Sequence, residues 1–293
     1  MSVTASIIRW LLLLTGFKYL VGLGFKYPPH WLFQYWPHLL SRRLAITWHT
    51  IADRRIATIT PNGHRPSGHV IFLHGGGYAL GFLPMFTRFA TRLVKEHHLR
   101  VSLLDYPLAP TAGVHEVQQF VNEAYHHLRQ HYPEDSFALL GDSAGGALAL
   151  VLLQSLRDSG GPMPYKTVLI SPWVDADMSR DLSPWDRLDA VLSQPSLAVA
   201  INNYRRDCGL DDPRISPILG GLHHLGDVAV VAGGGELFYP DLCRLRRDMR
   251  QSKGTAVLWF EGAGLWHDWL YFAIPEAKVT REEIGRWLSH ERP

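Results

Sequence analysis

Residues 137–146 read Phe-Ala-Leu-Leu-Gly-Asp-Ser-Ala-Gly-Gly, and Ala147–Leu156 continues in small and aliphatic residues. The first four residues predict a buried strand, Phe137–Leu140, and the later run predicts a helix. Between them Ser143 stands with Gly141 and Gly145 on either side. A serine at so sharp a strand-to-helix turn is held at positive φ. Its hydroxyl then stands clear of the backbone, beside the free N–H groups that open the helix. Glycine on both sides removes the Cβ that would crowd the turn. The pattern marks Ser143 as a candidate nucleophile, but the pentapeptide is a weak signal without its context.

That context lies on both sides of it in the chain. Upstream, a second apolar strand, His69–Leu73, runs into His74-Gly75-Gly76-Gly77-Tyr78. Three glycines leave backbone N–H groups open to a developing oxyanion, where each donor contributes about 3–4 kcal/mol. His74 reads as a residue that holds this loop, because the general base follows the serine in chain order. Downstream, the strand Asp227–Ala232 ends in Gly233-Gly234-Gly235-Glu236, with Asp241 five residues further on. The strand Ala256–Phe260 leads to Gly262-Ala263-Gly264-Leu265-Trp266-His267-Asp268. His267, on a glycine-bearing loop after a strand, is the candidate base. A carboxylate must hold its other ring nitrogen. Asp268 adjoins His267 and is read as poorly placed to orient that ring. Glu236, at the strand exit, is the favoured acid, and Asp241 is the alternative.

These residues together resemble the hormone-sensitive-lipase-like branch of the α/β-hydrolases, which includes microbial carboxylesterases and fungal acetyl-ester hydrolases. The resemblance is carried by His74-Gly75-Gly76-Gly77, Asp105-Tyr106-Pro107-Leu108-Ala109-Pro110, Gly141 to Gly146, Ser171-Pro172-Trp173-Val174-Asp175 and the Trp266-His267 loop, over about residues 60–285. It implies Ser143 as nucleophile, His267 as base, and the N–H groups of Gly76, Gly77 and Ala144 as the oxyanion hole. There are two departures. Glu236-Leu237-Phe238-Tyr239-Pro240-Asp241 stands where the family has Asp-Pro-Leu-Arg-Asp, and Thr111 stands where a glutamate follows Leu-Ala-Pro. The implied fold is a mostly parallel central sheet flanked by helices, with a helical lid built from the N-terminus and an insertion. The implied activity is cleavage of a carboxylic ester, most simply a short-acyl ester of an apolar alcohol such as a sterol, terpenoid or other secondary metabolite. Amide or formamide hydrolysis, and acyl transfer or cyclisation, need no further catalytic residue. A non-catalytic binding protein on this scaffold is disfavoured by the retained His267.

Composition agrees with one enzyme of this kind. The 293 residues are 46% hydrophobic and 19% charged, enough apolar material for a large buried sheet. A net charge of +2 gives no nucleic-acid footprint. Of the 16 histidines, His97-His98, His126-His127 and His223-His224 are adjacent pairs whose side chains diverge. No His-x₃-His or Cys-x₂-Cys pair stands on a zinc motif, so no metal is expected. No cofactor is expected either, for want of a dinucleotide or phosphate-loop fingerprint. Two cysteines, Cys208 and Cys243, suit a reducing intracellular compartment.

Elsewhere the pattern alternates strand and helix. Thr58–Pro61 reads as an early antiparallel strand, Arg100–Leu104 and Thr167–Ser171 as core strands, and Met85–His97 as a helix. Val114–His131 reads as an amphipathic helix, apolar at Val114, Val117, Phe120, Val121, Ala124 and Leu128. The rhythm breaks over Asp175–Ser216, with a helix around Pro195–Arg206. The expected divisions are an N-terminal segment (1–60), a first core part (61–175), an inserted lid (176–215) and a second core part (216–293). Ile7–Phe25 is strongly apolar but interrupted by Arg9 and Lys18, and Trp31, Phe33, Tyr35 and Trp36 follow. The segment reads as a lid, as an interfacial membrane anchor giving peripheral membrane contact, or as a secretory signal.

Overall fold

The computed structural model describes residues 1–29, 44–63 and 65–289. The aromatic residues Trp31, Phe33, Tyr35 and Trp36 lie outside these. Two helices come first, α1 (Val3–Leu14) and α2 (Phe17–Lys26), followed by strands β1 (Ala45–Ile51), β2 (Arg54–Thr60) and β3 (His69–Leu73). Then come α3 (Pro84–His97), β4 (Arg100–Leu104), α4 (Val114–His131), β5 (Phe137–Asp142), α5 (Ser143–Asp158) and β6 (Lys166–Ile170). The chain continues through α6 (Ser183–Leu188), α7 (Gln194–Arg205), β7 (Gly226–Gly233), α8 (Tyr239–Gln251), β8 (Thr255–Gly262) and α9 (Pro275–Ser289).

The eight strands form one sheet in the order β1-β2-β4-β3-β5-β6-β7-β8. Every pairing from β4 to β8 is parallel, whereas β1–β2 and β2–β4 are antiparallel. β3, β5 and β6 are buried along their whole length, as strands covered by helices on both faces must be. The crossover α4 buries its predicted apolar stripe and also Tyr125. Each of its buried Val, Phe and Leu side chains contributes about 1.5–3 kcal/mol relative to exposure. The sheet begins at Ala45, so the N-terminal segment apart from it is shorter than the expected 1–60. The hairpin turn between β1 and β2 is Ala52-Asp53, both at positive φ. That left-handed pair matches the twist of the flanking strands, but Ala-Asp lacks the Asn-Gly or Asp-Gly signature that would have announced it.

Strand order reverses between β3 and β5, where chains of this architecture bind ligands at the carboxyl ends of their strands. Here β3 ends in the glycine loop, β5 in Ser143, β7 in the Glu236 turn and β8 in the His267 loop. α5 approaches β3 with no side chain between the backbones. A Cβ on Gly145 would stand 2.1 Å from the Leu73 carbonyl oxygen, and one on Gly141 would stand 2.3 Å from the Gly145 oxygen. Gly145→Ala is therefore expected to cost about 3 kcal/mol or more. Gly160→Ala, at positive φ with open space around it, is expected to cost only about 1 kcal/mol. Thermal unfolding of the two variants checks this. Equal midpoints would contradict the packing described.

Candidate active site

Ser143 is the first residue of α5 and sits at φ 50°. Its strained turn is locked by the two glycine contacts just described and by the Trp173 N–H, which donates to the Ser143 carbonyl at 3.0 Å. The glycine loop after β3 lies directly against it, since a Cβ on Gly75 would stand 3.1 Å from the Ser143 Cβ. Gly75 N–H donates to Asp142 Oδ1 at 3.0 Å, tying the loop to the residue before the serine. Gly76 and Gly77 take φ 109° and 60°, conformations that favour glycine. A Cβ on Gly77 would strike the Phe25 ring of α2 at 2.8 Å. His74 holds the loop from behind. Its ring stacks on Tyr106 at 4.3 Å, and the Tyr106 hydroxyl donates to the His74 carbonyl at 2.7 Å. Burial lowers the His74 pKa to about 3, so this ring is neutral.

His267 Nε2 lies 3.0 Å from Ser143 Oγ, and its Nδ1 lies 3.2 Å from Glu236 Oε2. Glu236 is fully buried, and its other oxygen accepts from the Gly233 N–H at 2.9 Å. Burial raises the Glu236 pKa, and His267 opposes that rise. Asp241 is not brought to this ring. It lies in the first turn of α8, paired with Arg180, and burial raises its pKa to about 6 against that pairing.

Asp268, expected to be ill placed, does reach the imidazole, but at the other nitrogen. Its backbone is left-handed, at φ 56°, which turns the carboxylate back so that Oδ2 lies 3.3 Å from Nε2. Nε2 therefore faces both Ser143 and Asp268, while Nδ1 faces Glu236. When Nε2 faces the serine, the acid that fixes the tautomer must sit on Nδ1, which is the position of Glu236. Burial disfavours the imidazolium, but the Asp268 and Glu236 carboxylates outweigh it and hold the His267 pKa well above the usual histidine range.

Asp189, between α6 and α7, went unnoticed in the sequence. Its buried carboxylate accepts from the Leu237 N–H at 2.8 Å, from the Val191 and Leu192 N–H groups at 2.9 and 3.3 Å, and from the His267 N–H at 3.4 Å. One side chain thus joins the loops that carry Glu236 and His267. No local pattern marks it, because its partners are backbone groups on other elements.

Ser143, His267, Asp268 and Gly76 line a cavity of about 110 Å³, small beside the ~300–1,000 Å³ of sites for drug-sized ligands. The rest of its wall is apolar and includes Phe17, Val21 and Phe25 of α2 and Leu192. α2 packs closely on α7, with Gly22 leaving room for Ser196, and Tyr204 of α7 stacks at 3.7 Å on Tyr78 of the glycine loop. Among the described residues no single helix is long and apolar enough to cross a membrane. α1 and α2 reach that composition only as a pair bent by 57°.

Comparison with known proteins agrees with this fold. Residues 70–271 match the family described as having the alpha/beta hydrolase fold. The chain is 30% identical over 225 residues to an esterase of Acinetobacter venetianus, covering 75% of this chain and 74% of that one. It is likewise 30% identical over 224 residues to an acetyl-hydrolase of Streptomyces hygroscopicus, with the same two shares. A crystal structure of an esterase from the bacterial hormone-sensitive lipase family superposes with a TM-score of 0.77 at 25% identity, covering 93% of this chain and 89% of that one. The chain belongs to the α/β-hydrolase family, among its hormone-sensitive-lipase-like members. It is a carboxylic ester hydrolase.

The electrostatics carry a prediction. With His267 as the candidate base, only its neutral form can accept a proton, so activity is expected to fall as pH drops through its raised pKa. Asp268→Asn removes the first of the carboxylates that raise it. The acid limb of the kcat/KM profile is expected to move to lower pH in that variant. A limb that stays in place or moves upward would contradict the described balance.

Proposed function

We propose that the chain hydrolyses a short-acyl ester of an apolar alcohol through an acyl-enzyme on Ser143. The observation that carries this reading is the line of contacts from Ser143 Oγ through His267 to Glu236, opening on a small apolar cavity. Ser143 Oγ attacks the ester carbonyl as His267 Nε2 takes its proton. The oxyanion is received by the N–H groups of Gly76, Gly77 and Ala144, at the positive end of α5. His267 returns the proton to the departing alkoxide, and a water repeats the sequence on the acyl-serine. Glu236 remains ionised and holds Nδ1–H throughout. The size of the cavity favours an acetyl or similarly short acyl group. The free thiols of Cys208 and Cys243 fit a reducing compartment.

We further propose that α1 and α2 serve both as lid and as a lipid-contacting face. The charges that interrupt this apolar segment turn inward, Arg9 to the Leu188 carbonyl at 2.8 Å and Lys18 to Asp186 at 3.2 Å. The apolar side chains Val3, Ile7, Trp10 and Leu14 form the exposed face of α1, with Val3 77% and Leu14 62% accessible. Such a face suits an apolar interface better than water.

On p-nitrophenyl acetate, Ser143→Ala is expected to lose activity on the order of 10⁴-fold or more, and Glu236→Gln about 10⁴-fold. Asp241→Asn is expected to retain most activity. Equal losses in the Glu236 and Asp241 variants would remove the assignment of the acid. For the lipid face, wild type is expected to sediment with phosphatidylcholine vesicles while Trp10→Glu/Leu14→Glu stays in solution with its esterase activity intact. Equal partitioning of the two would refute it.

A further inference from the structure

A cluster of three histidines lies at the antiparallel edge of the sheet, on elements that do not line the Ser143 cavity. His127 and His131 are four residues apart on α4, so their side chains stand one turn apart on one face. Their rings are within 16° of parallel, with centroids 6.1 Å apart. His49, from β1, faces both rings nearly edge-on, with centroids 5.2 Å from His127 and 4.6 Å from His131. One ring nitrogen from each of the three falls within 4.8 Å of the other two.

We propose that His49, His127 and His131 form a binding site for a divalent transition-metal ion of the Zn²⁺ type, which clamps β1 to α4. The spacing suits it. His49 Nδ1 and His127 Nε2 are 3.2 Å apart, and two ligands of a tetrahedral ion with bonds of ~2.0–2.1 Å stand roughly 3.3 Å apart. The donor set suits it too, since three imidazoles without a carboxylate select zinc, cobalt, nickel or copper over calcium or magnesium. His49 is oriented for the task. Its Nε2 lies 3.3 Å from the Tyr132 hydroxyl, and a proton held there leaves the Nδ1 lone pair aimed at the helix histidines, as an outer partner does for a metal-bound histidine.

Two charged groups lie close by. Arg100, stacked over the Tyr132 ring at 4.4 Å, is paired with Asp135, and Asp135 also accepts from His69 at 2.9 Å. His131 is exposed and His127 half-buried, which leaves an entry path and a fourth position for water. The expectation of no metal from the sequence passes over one pair, His127-x₃-His131, which has a metal-ligand spacing on a helix. The third member comes from a strand 78 residues before His127, so no local motif revealed the set.

The plainer account is a chain of neutral hydrogen bonds, Tyr132–His49–His127, with no affinity for metal. The two are separated by titrating the untagged, EDTA-stripped full chain with Zn²⁺ and with Co²⁺. The proposal expects one equivalent bound, a tetrahedral Co²⁺ absorption spectrum and a Zn²⁺-dependent rise in Tm that EDTA reverses. His131→Ala, an exposed position that leaves folding intact, is expected to lower the affinity by about tenfold or more and to abolish the Tm rise, with esterase activity unchanged. His115→Ala and His97→Ala, in two other clusters that mix histidine with carboxylate or thiol groups, are expected to bind as wild type does. No binding by wild type, or equal binding by His131→Ala, would overturn the proposal, as would loss of binding in His115→Ala or His97→Ala instead.

Discussion

The close approach of two backbones, α5 against the end of β3, is the constraint on which the rest of the site depends. With Gly145 a van der Waals contact from the Leu73 and His74 carbonyls, the helix start is pressed into the sheet where strand order reverses. Ser143 has no latitude there. It is driven to positive φ, its hydroxyl meets the His267 loop, and the free N–H groups of α5 open onto the glycine loop. The Gly75–Asp142 hydrogen bond follows from the same approach. A side chain on any of these glycines would part Ser143 from the groups that the proposed reaction requires.

Around that fixed point the site is built from buried carboxylates. Asp142, Asp189, Glu236 and Asp268 all lie in the interior, where an uncompensated charge is costly. Their compensation differs, and so does what each one does. Asp189 spends its oxygens on backbone N–H groups and so fixes the loops of Glu236 and His267. Glu236 divides itself between a backbone N–H and Nδ1. Asp142 holds the glycine loop, and burial followed by the neighbouring Asp268 raises its pKa well above the carboxylate range. Asp268 meets the same nitrogen as the serine. It favours the imidazolium that the proposed reaction forms, and it also makes the neutral base harder to reach at low pH.

Much of this was legible in the sequence because it is local. A strand, a glycine-flanked serine and a small-residue helix are adjacent in the chain, as are β3 and its three glycines, and chain order then pointed to Glu236 and His267. What was missed depends on tertiary placement or on unadvertised backbone geometry. The Ala52-Asp53 turn adopts a hairpin conformation that its residues do not signal, so β1 was hidden. Sequence adjacency alone argues against Asp268, whereas a left-handed φ swings it back to the ring. Asp189 and His49 act on partners far along the chain. The inward turn of Arg9 and Lys18 could not be read from a run in which they looked like interruptions.

The central claim is that the glycine-locked turn presents Ser143 as the group that carries the acyl chain. Rapid acid quenching of the enzyme during turnover of a short-chain ester, followed by peptide mass spectrometry, tests this most directly. The account predicts the added mass of one acyl group on the peptide containing Ser143, and none in Ser143→Ala. Acyl mass on another residue, or full turnover with no acyl-serine at any quench time, would contradict it.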